Sequence, residues 1–338
     1  MKIAYEIERL STKGGIERIL TDRVNYMAEV WGWDIYVLVL LKETEEPWYK
    51  LSSKVHVEYL NVGTSGLMMC AEALWKLDKA VRRIKPDVYV TFQSIGAISC
   101  MLRTHSVSTV YEAHGARSRM PHPLAMTMAE RYADVVVVLG ERQKNDYRKA
   151  RRLAVIPNFT MMTPKAMPDY ASEVAVAAGR VCYQKNFERL ESLWGKVQET
   201  FPQWQLRVHH DTKDMAAAYQ EGSVLVMTSR FEGFPMVLIE AMTCGLPCVA
   251  FDCPYGPSEL IEDGKTGYLI PYDDDQMFMD KLSYLMRHPE IRRRMGEEAR
   301  KSVERFSVES VMAKWKKFYE GFGQNKPAHD KDGVRIVG

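Results

Sequence analysis

No apolar run in this chain approaches the ~20 residues that a membrane-spanning helix requires, so a protein that crosses a bilayer by a helix is not expected. The opening residues, MKIAYEIERL, carry charges where a signal peptide has its apolar core, and no secretory leader is expected either. Formal net charge is only +2 over 338 residues, so no global field points to nucleic acid as a partner. The six cysteines (Cys70, Cys100, Cys182, Cys244, Cys248, Cys253) form no C-x-x-C pair. Free thiols in a reducing, cytoplasmic setting fit this usage better than a disulfide framework. The spacing of Cys244, Cys248 and Cys253 admits a metal reading, but the first two fall at a predicted helix end and strand among apolar neighbours. A G-x-G-x-x-G string is also missing, which argues against a dinucleotide-dependent oxidoreductase.

What is present is an alternation of short β-branched runs with helical spacing. The strand candidates begin with KIAYEI (2–7), DIYVLVLL, VHVEYL, DVYVTF, VSTVYEA, DVVVVL and LAVI. A second series follows with VAVAAG (174–179), QLRVHH, VLVMTS, PCVAF and GYLI. Strands of four to eight residues separated by helices predict parallel sheets with helices on both faces. The length exceeds one ordinary core, and two α/β domains are expected. The first is read as 1–160. The proline-containing, aperiodic segment NFTMMTPKAMPDYASE (158–173) predicts a linker, with 161–173 as the linker proper. The second domain is read as 174–306. Helices are expected over 274–287, 289–305 and 308–322. Trp315, Tyr319 and Phe322 suit docking of the last helix back on the first domain, and a loose tail is expected over 323–338. Two such domains would leave a cleft at the carboxyl ends of their strands, where open α/β sheets bind ligands.

The chemistry concentrates in SRFEGFPMVLIE, Ser229 to Glu240. It follows a buried strand and opens a helix, with Pro235 suited to the first helical position. The free backbone N–H groups of Phe234, Met236 and Val237, with the helix dipole, then predict an anion site. Glu232 precedes the helix and Glu240 lies on its second turn. Two carboxylates beside a phosphate site suit the hydroxyls of a sugar and a ribose.

This string resembles the E-x7-E signature of retaining glycosyltransferases of the family-4 type, which have the GT-B architecture of two facing Rossmann-like domains. AAGRVCYQKNFERL (177–190) resembles that family's GR-x4-K-x-F segment, STKGGIER its N-terminal GG-x-ER loop, and YEAHG (111–115) the segment carrying a cleft histidine. VIPNF (155–159) and CPYGPSELIEDGKTGYLI (253–270) also agree, so the likeness spans nearly the whole chain. It implies that Arg180 and Lys185 neutralise a donor diphosphate, and that Gly14 and Gly15 let backbone approach the phosphate or the reacting sugar. It further implies that His114 bonds a hydroxyl of the donor sugar, that Glu232 contacts the sugar ring, and that Glu240 holds the ribose. Gly233, Phe234, Pro235, Met236 and Val237 complete the donor loop. The implied substrate is a UDP- or GDP-sugar, transferred with retention to a glycan or lipid-linked acceptor in surface polysaccharide or glycolipid synthesis.

No cofactor and no metal are expected. Asp273 to Asp275 precede an amphipathic helix and read as its N-cap rather than a metal-binding D-x-D motif. His209, His210 and Asp211 read as a strand-end turn rather than a metal site. Trp75, Lys76, Arg82 and Arg83 offer a basic and aromatic face for peripheral contact with the inner membrane surface. The chain departs from the family pattern in one place. WQLRVHH (204–210) passes almost directly into TKDMAAAYQEG, and a helix-plus-strand unit of roughly 25–30 residues is expected between them. This shortening near 210–212 implies a weakened base pocket, and opens the alternative of a nucleotide-sugar-binding pseudo-transferase.

Overall fold

The computed structural model describes residues 1–63, 66–92, 99–100, 107–117, 123–164, 166–210, 212, 214–324 and 335–336. The chain divides into two compact units, Met1–Pro157 with Met312–Gly338, and Asn158–Val311.

In the first unit, β1 (Lys2–Ile7), β2 (Asp34–Leu41), β3 (Val55–Val62), β4 (Val88–Thr91), β5 (Ser108–Ala113), β6 (Val135–Val138) and β7 (Arg152–Val155) form one parallel sheet in the order 7-6-5-4-1-2-3. Helix α1 (Gly15–Glu29) connects β1 to β2, α2 (Gly66–Ile84) connects β3 to β4, and α3 (Pro123–Tyr132) connects β5 to β6. Helices on both faces seal a parallel sheet, which is why its strands read as unbroken apolar runs; all four valines of β6 are buried. The connections reverse direction between β1 and β4, so the loops leaving these two strands flank the unit's topological switch point.

Two ionisable residues interrupt that apolar interior. Glu6 on β1 accepts a hydrogen bond from Thr91 Oγ1 on β4 at 2.5 Å, and its other oxygen, Oε1, is buried without a partner. Arg23 lies on the buried face of α1 among Ile19, Leu20, Val24 and Met27. The stretch expected to be loose is described at 335–336, where Arg335–Ile336 adds a parallel strand beside β7, covering an edge that would otherwise leave its backbone groups unpaired.

The second unit carries β8 (Val174–Ala178), β9 (Gln205–His209), β10 (Val224–Met227), β11 (Cys248–Phe251) and β12 (Gly267–Ile270) in the parallel order 12-11-10-8-9. Counted within the unit this is 2-1-3-4-5, the flavodoxin-like order, with its switch point between β8 and β10. Strand β9 is followed by α5 (Met215–Gln220), capped by Asp214, whose carboxylate accepts from Ala217 N at 3.0 Å. Helix α4 (Phe187–Thr200) and α8 (Asp275–Arg287) pack Leu190, Leu193, Trp194, Phe278 and Leu282 into one core with Phe251. Asp274 caps α8, accepting from Met277 N at 2.8 Å, as its sequence position predicts.

The segment 158–173 packs within this second unit. Thr160 N donates to Phe306 O, and Tyr170 Oη donates to Gly245 O at 2.8 Å. Arg292, on α9 (Pro289–Ser302), donates to the carbonyl of Tyr170. The helix expected over 289–305 ends at Ser302 and gives way to a 3₁₀ turn, Glu304–Phe306. Helix α10 (Val308–Gln324) continues into the first unit from Met312. There Trp315 stacks on Tyr319 at 5.4 Å, and the Tyr319 and Tyr5 hydroxyls lie 2.8 Å apart.

Candidate functional site

In the second unit, the loops leaving β8 and β10 meet at the switch point, and the residues singled out in the sequence fall on them. Gly179 ends β8 with φ at +144°, and a Cβ there would sit 3.0 Å from Lys185 Cε. Glycine is therefore needed twice, for the backbone turn and for the lysine stem lying across it. The loop is fastened to its neighbours by the backbone. Gly179 N donates to His209 O at 3.0 Å, and His210 Nδ1 donates to Gly179 O at 2.9 Å. These bonds place His209 and His210 in the strand-end turn; Asp211 lies outside the described residues. Arg230 N donates to Gln184 O at 2.8 Å, and its guanidinium lies 4.1 Å from the centre of the Tyr183 ring. Thr228 Oγ1 donates to Asn186 O at 3.1 Å.

With both loops so fixed, their side chains converge on Glu232. Lys185 Nζ approaches Glu232 Oε1 at 2.7 Å, and Gln184 Nε2 donates to Oε2 at 3.0 Å. The pair is largely buried, with side-chain exposures of 15% and 6%, so solvent screens it weakly. Gln184 escaped the sequence reading, although it adjoins Lys185 in the GR-x4-K string. Arg180 is exposed and makes no hydrogen bond or ion pair among the described residues.

Helix α6 (Met236–Thr243) begins one residue later than predicted. Pro235 is its N-cap, with ψ at 93°, rather than its first helical residue. The carbonyl of Pro235 accepts the first bond, from Leu238 N at 3.0 Å, which defines a capping position. Its ring packs on Gly256, where φ is +94° and a Cβ would come within 2.1 Å of Pro235 Cδ. Phe234 is buried edge-on against Phe306 at 5.5 Å. Gly233, Met236 and Val237 are partly exposed around this start, and the backbone N–H groups of Met236 and Val237 lie ahead of the first intrahelical donor, Leu238 N. Glu240 is 4% exposed, in the middle of α6, and accepts from Tyr219 Oη on α5 at 3.0 Å. It is bonded apart from the Lys185–Glu232 pair.

Nearby thiols are held inert. Burial, followed by the charge of Glu232, pushes Cys253 up to about 12. Burial likewise pushes Cys244 up to about 12, and Cys248 is raised by burial. Among the described residues no group of three or more His, Cys, Asp or Glu side chains is placed to hold a metal ion.

In the first unit, Gly14 is the N-cap of α1 and Gly15 its first residue. A Cβ on Gly14 would collide with Glu17 Oε2 at 1.9 Å, whereas Gly15 has open space. His114, just beyond β5, contacts Glu112 Oε2 through Nε2 at 3.0 Å and Phe92 edge-on at 5.2 Å. Glu112 is paired in turn with Arg23 through two bonds of 2.9 and 2.8 Å. Neither Arg23 nor Glu112 entered the sequence reading. The signal was there in each case: a charge within the apolar stripe of α1, and a carboxylate within the apolar strand VSTVYEA.

The proposed basic face of α2 is neutralised locally. Lys76 pairs with Glu72 at 2.7 Å, Arg82 with Asp78 at 2.7 Å, and Arg83 with Glu58, while Trp75 remains exposed. Among the described residues no helix is long and apolar enough to cross a membrane. The stretches Gln93 to Gly96 and Arg117 to Pro123, on which the choice of sugar and acceptor is expected to depend, lie outside the described residues except for Arg117 and Pro123.

Two parallel-sheet α/β units of this topology define a GT-B fold. TarM of S. aureus, solved in complex with Fondaparinux, alpha-GlcNAc-glycerol and UDP, matches with a TM-score of 0.76 at 15% identity, over 94% of this chain and 99% of that one. Residues 176–302, within the second unit, match the family described as Glycosyl transferases group 1. Relatives also extend over nearly the full chain. An uncharacterized glycosyltransferase of Haemophilus influenzae is 22% identical over 93% of this chain and 99% of its own. The amylovoran biosynthesis glycosyltransferase AmsD of Erwinia amylovora is 24% identical over 93% and 98%.

Proposed function

We propose that this protein is a glycosyltransferase that takes a hexose or N-acetylhexosamine from a UDP- or GDP-sugar and transfers it to a glycan or lipid-linked acceptor. The observation that carries the reading is the convergence of Lys185, Gln184 and Glu232 at the β8/β10 switch point, beside the open N-terminus of α6. A phosphate group set at that helix start meets free N–H groups and a positive dipole end, and Lys185 and the exposed Arg180 add positive charge. Glu232 then takes sugar hydroxyls and Glu240 the ribose. Because cationic side chains and the helix terminus supply the compensating charge, the reaction as proposed uses no metal.

Transfer proceeds with retention. The bond from the anomeric carbon to the donor phosphate oxygen breaks, and a bond to the acceptor oxygen forms on the same face. The acceptor proton passes to a phosphate oxygen, and the nucleoside diphosphate leaves. The relative named for amylovoran biosynthesis supports a place in surface polysaccharide or glycolipid synthesis, and the UDP in the TarM complex supports a nucleoside-diphosphate donor. The protein acts in the cytoplasm, with Trp75 available for peripheral contact at the inner membrane face.

One observation favours a second reading. β9 is the edge of a five-stranded sheet and leads directly into α5. A loop that would close over the nucleotide base from a further strand is thus expected to be missing, and a pseudo-transferase that binds the donor without turning it over follows. Incubation with a panel of UDP- and GDP-sugars, with release of nucleoside diphosphate as the readout, separates the two. Release with any donor supports the transferase; calorimetric binding of UDP or GDP without release from any donor supports the pseudo-transferase.

A further inference from the structure

Buried ion pairs are often replaceable by apolar residues of similar size at no loss of stability, so a retained one calls for a task. The Arg23–Glu112 pair is sealed, with both side chains 1% exposed, and it is imperfect: Arg23 Nε is buried without an acceptor. What the pair does locally is fix a carboxylate. Both guanidinium Nη atoms donate to Glu112, one to each oxygen, and Oε2 is shared with His114 Nε2 at 3.0 Å. The guanidinium is itself clamped by aromatic rings, with Trp315 of α10 at 4.3 Å, Tyr5 at 5.5 Å and Phe92 at 5.6 Å. Phe92 also meets the edge of the His114 ring. Burial alone would raise the Glu112 carboxyl, but the charge of Arg23 and the His114 bond outweigh it and hold the carboxyl below its ordinary value. An ionised carboxylate can only accept, so the imidazole nitrogen facing it must be the one that carries hydrogen.

We propose that Glu112 is the positioning residue for His114, holding it as the Nε2–H tautomer and leaving Nδ1 as the acceptor for a substrate hydroxyl. Arg23, clamped by Trp315, keeps Glu112 in register. Helix α10 thereby supports the histidine through Arg23 and Glu112. The inference rests on His114 being the sugar-contacting histidine of the proposed transferase.

Long-range ¹⁵N–¹H correlation spectra of the imidazoles in the full chain test it directly, with His114 assigned through His114→Gln. The expected pattern for neutral His114 is a protonated Nε2 and a bare Nδ1. An Nδ1–H pattern in the unaltered protein overturns the proposal and requires no variant to fold. The paired substitution Arg23→Met with Glu112→Leu removes both charges together, so no lone buried charge remains. In that variant the single-tautomer pattern should be lost; its persistence overturns the role of Glu112. These spectra do not depend on turnover. A confirmed tautomer with unaltered sugar transfer in His114→Ala would remove His114 from the transfer site while leaving its positioning by Glu112 intact.

Discussion

Lys185 and Glu232 share one ion pair, 2.7 Å from Nζ to Oε1, across the two loops that leave the strands of the second switch point. The pair makes each residue a condition for the other: each side chain fixes where the other sits at the loop. Lys185→Ala should weaken donor binding by roughly 10- to 150-fold, the equivalent of a charged hydrogen bond of about 1.5–3 kcal/mol. Titration calorimetry with UDP and GDP measures this; unchanged affinity would take Lys185 out of the diphosphate site.

Glu240 is held by Tyr219 and not by the Lys185 pair, so its loss should act on a separate contact. Glu240→Ala is expected to raise the apparent donor KM by roughly tenfold to a few hundredfold. Tyr219→Phe keeps the carboxylate and removes one donor, and should cost only about 0.5–1.5 kcal/mol of fold stability. Steady-state kinetics and urea unfolding distinguish the two effects.

The buried Glu6 carboxyl makes stability depend on pH. Burial pushes it up to about 8 from 4.5, with the Thr91 hydrogen bond pulling the other way and Glu8 adding to the rise. In the unfolded chain the group ionises near 4.5, whereas the folded protein retains the proton up to about 8. The unfolded state therefore binds fewer protons across that window, and stability falls as pH rises through it, by at most about 1.4 kcal/mol per pH unit. Glu6→Gln should remove this slope and be the more stable form at pH 8. A series of urea melts between pH 5 and 8 tests both points.

Trp315 covers the Arg23 guanidinium and stacks on Tyr319. Trp315→Ala should cost about 3–5 kcal/mol, and Trp315→Phe, which keeps a ring there, distinctly less. Denaturant midpoints of the two variants compare them.

The sequence showed the elements well and their joins less well. Strands such as KIAYEI and GYLI were legible to the residue because a parallel sheet sealed on both faces demands unbroken apolar runs. The start of α6 was misplaced by one residue because Pro235 suits N1 by propensity, while packing on Gly256 makes it the cap. Glu232 and Glu240 were legible as a carboxylate pair beside a helix start, and Lys185 through the resemblance of its segment to GR-x4-K-x-F. That Lys185 bonds Glu232 while Glu240 bonds Tyr219 was not, because it depends on how two loops distant in sequence fold against each other. Arg23 and Glu112 were passed over for the same reason: each looks like an intrusion in its own element, and only the sheet brings them together.

The most direct test of the donor site is calorimetric titration of the full chain with UDP and GDP, beside the Lys185→Ala and Glu240→Ala variants. The account predicts saturable one-to-one binding of at least one nucleotide, weakened roughly tenfold or more by each substitution. Absence of binding to both nucleotides, or binding that neither substitution alters, would contradict it.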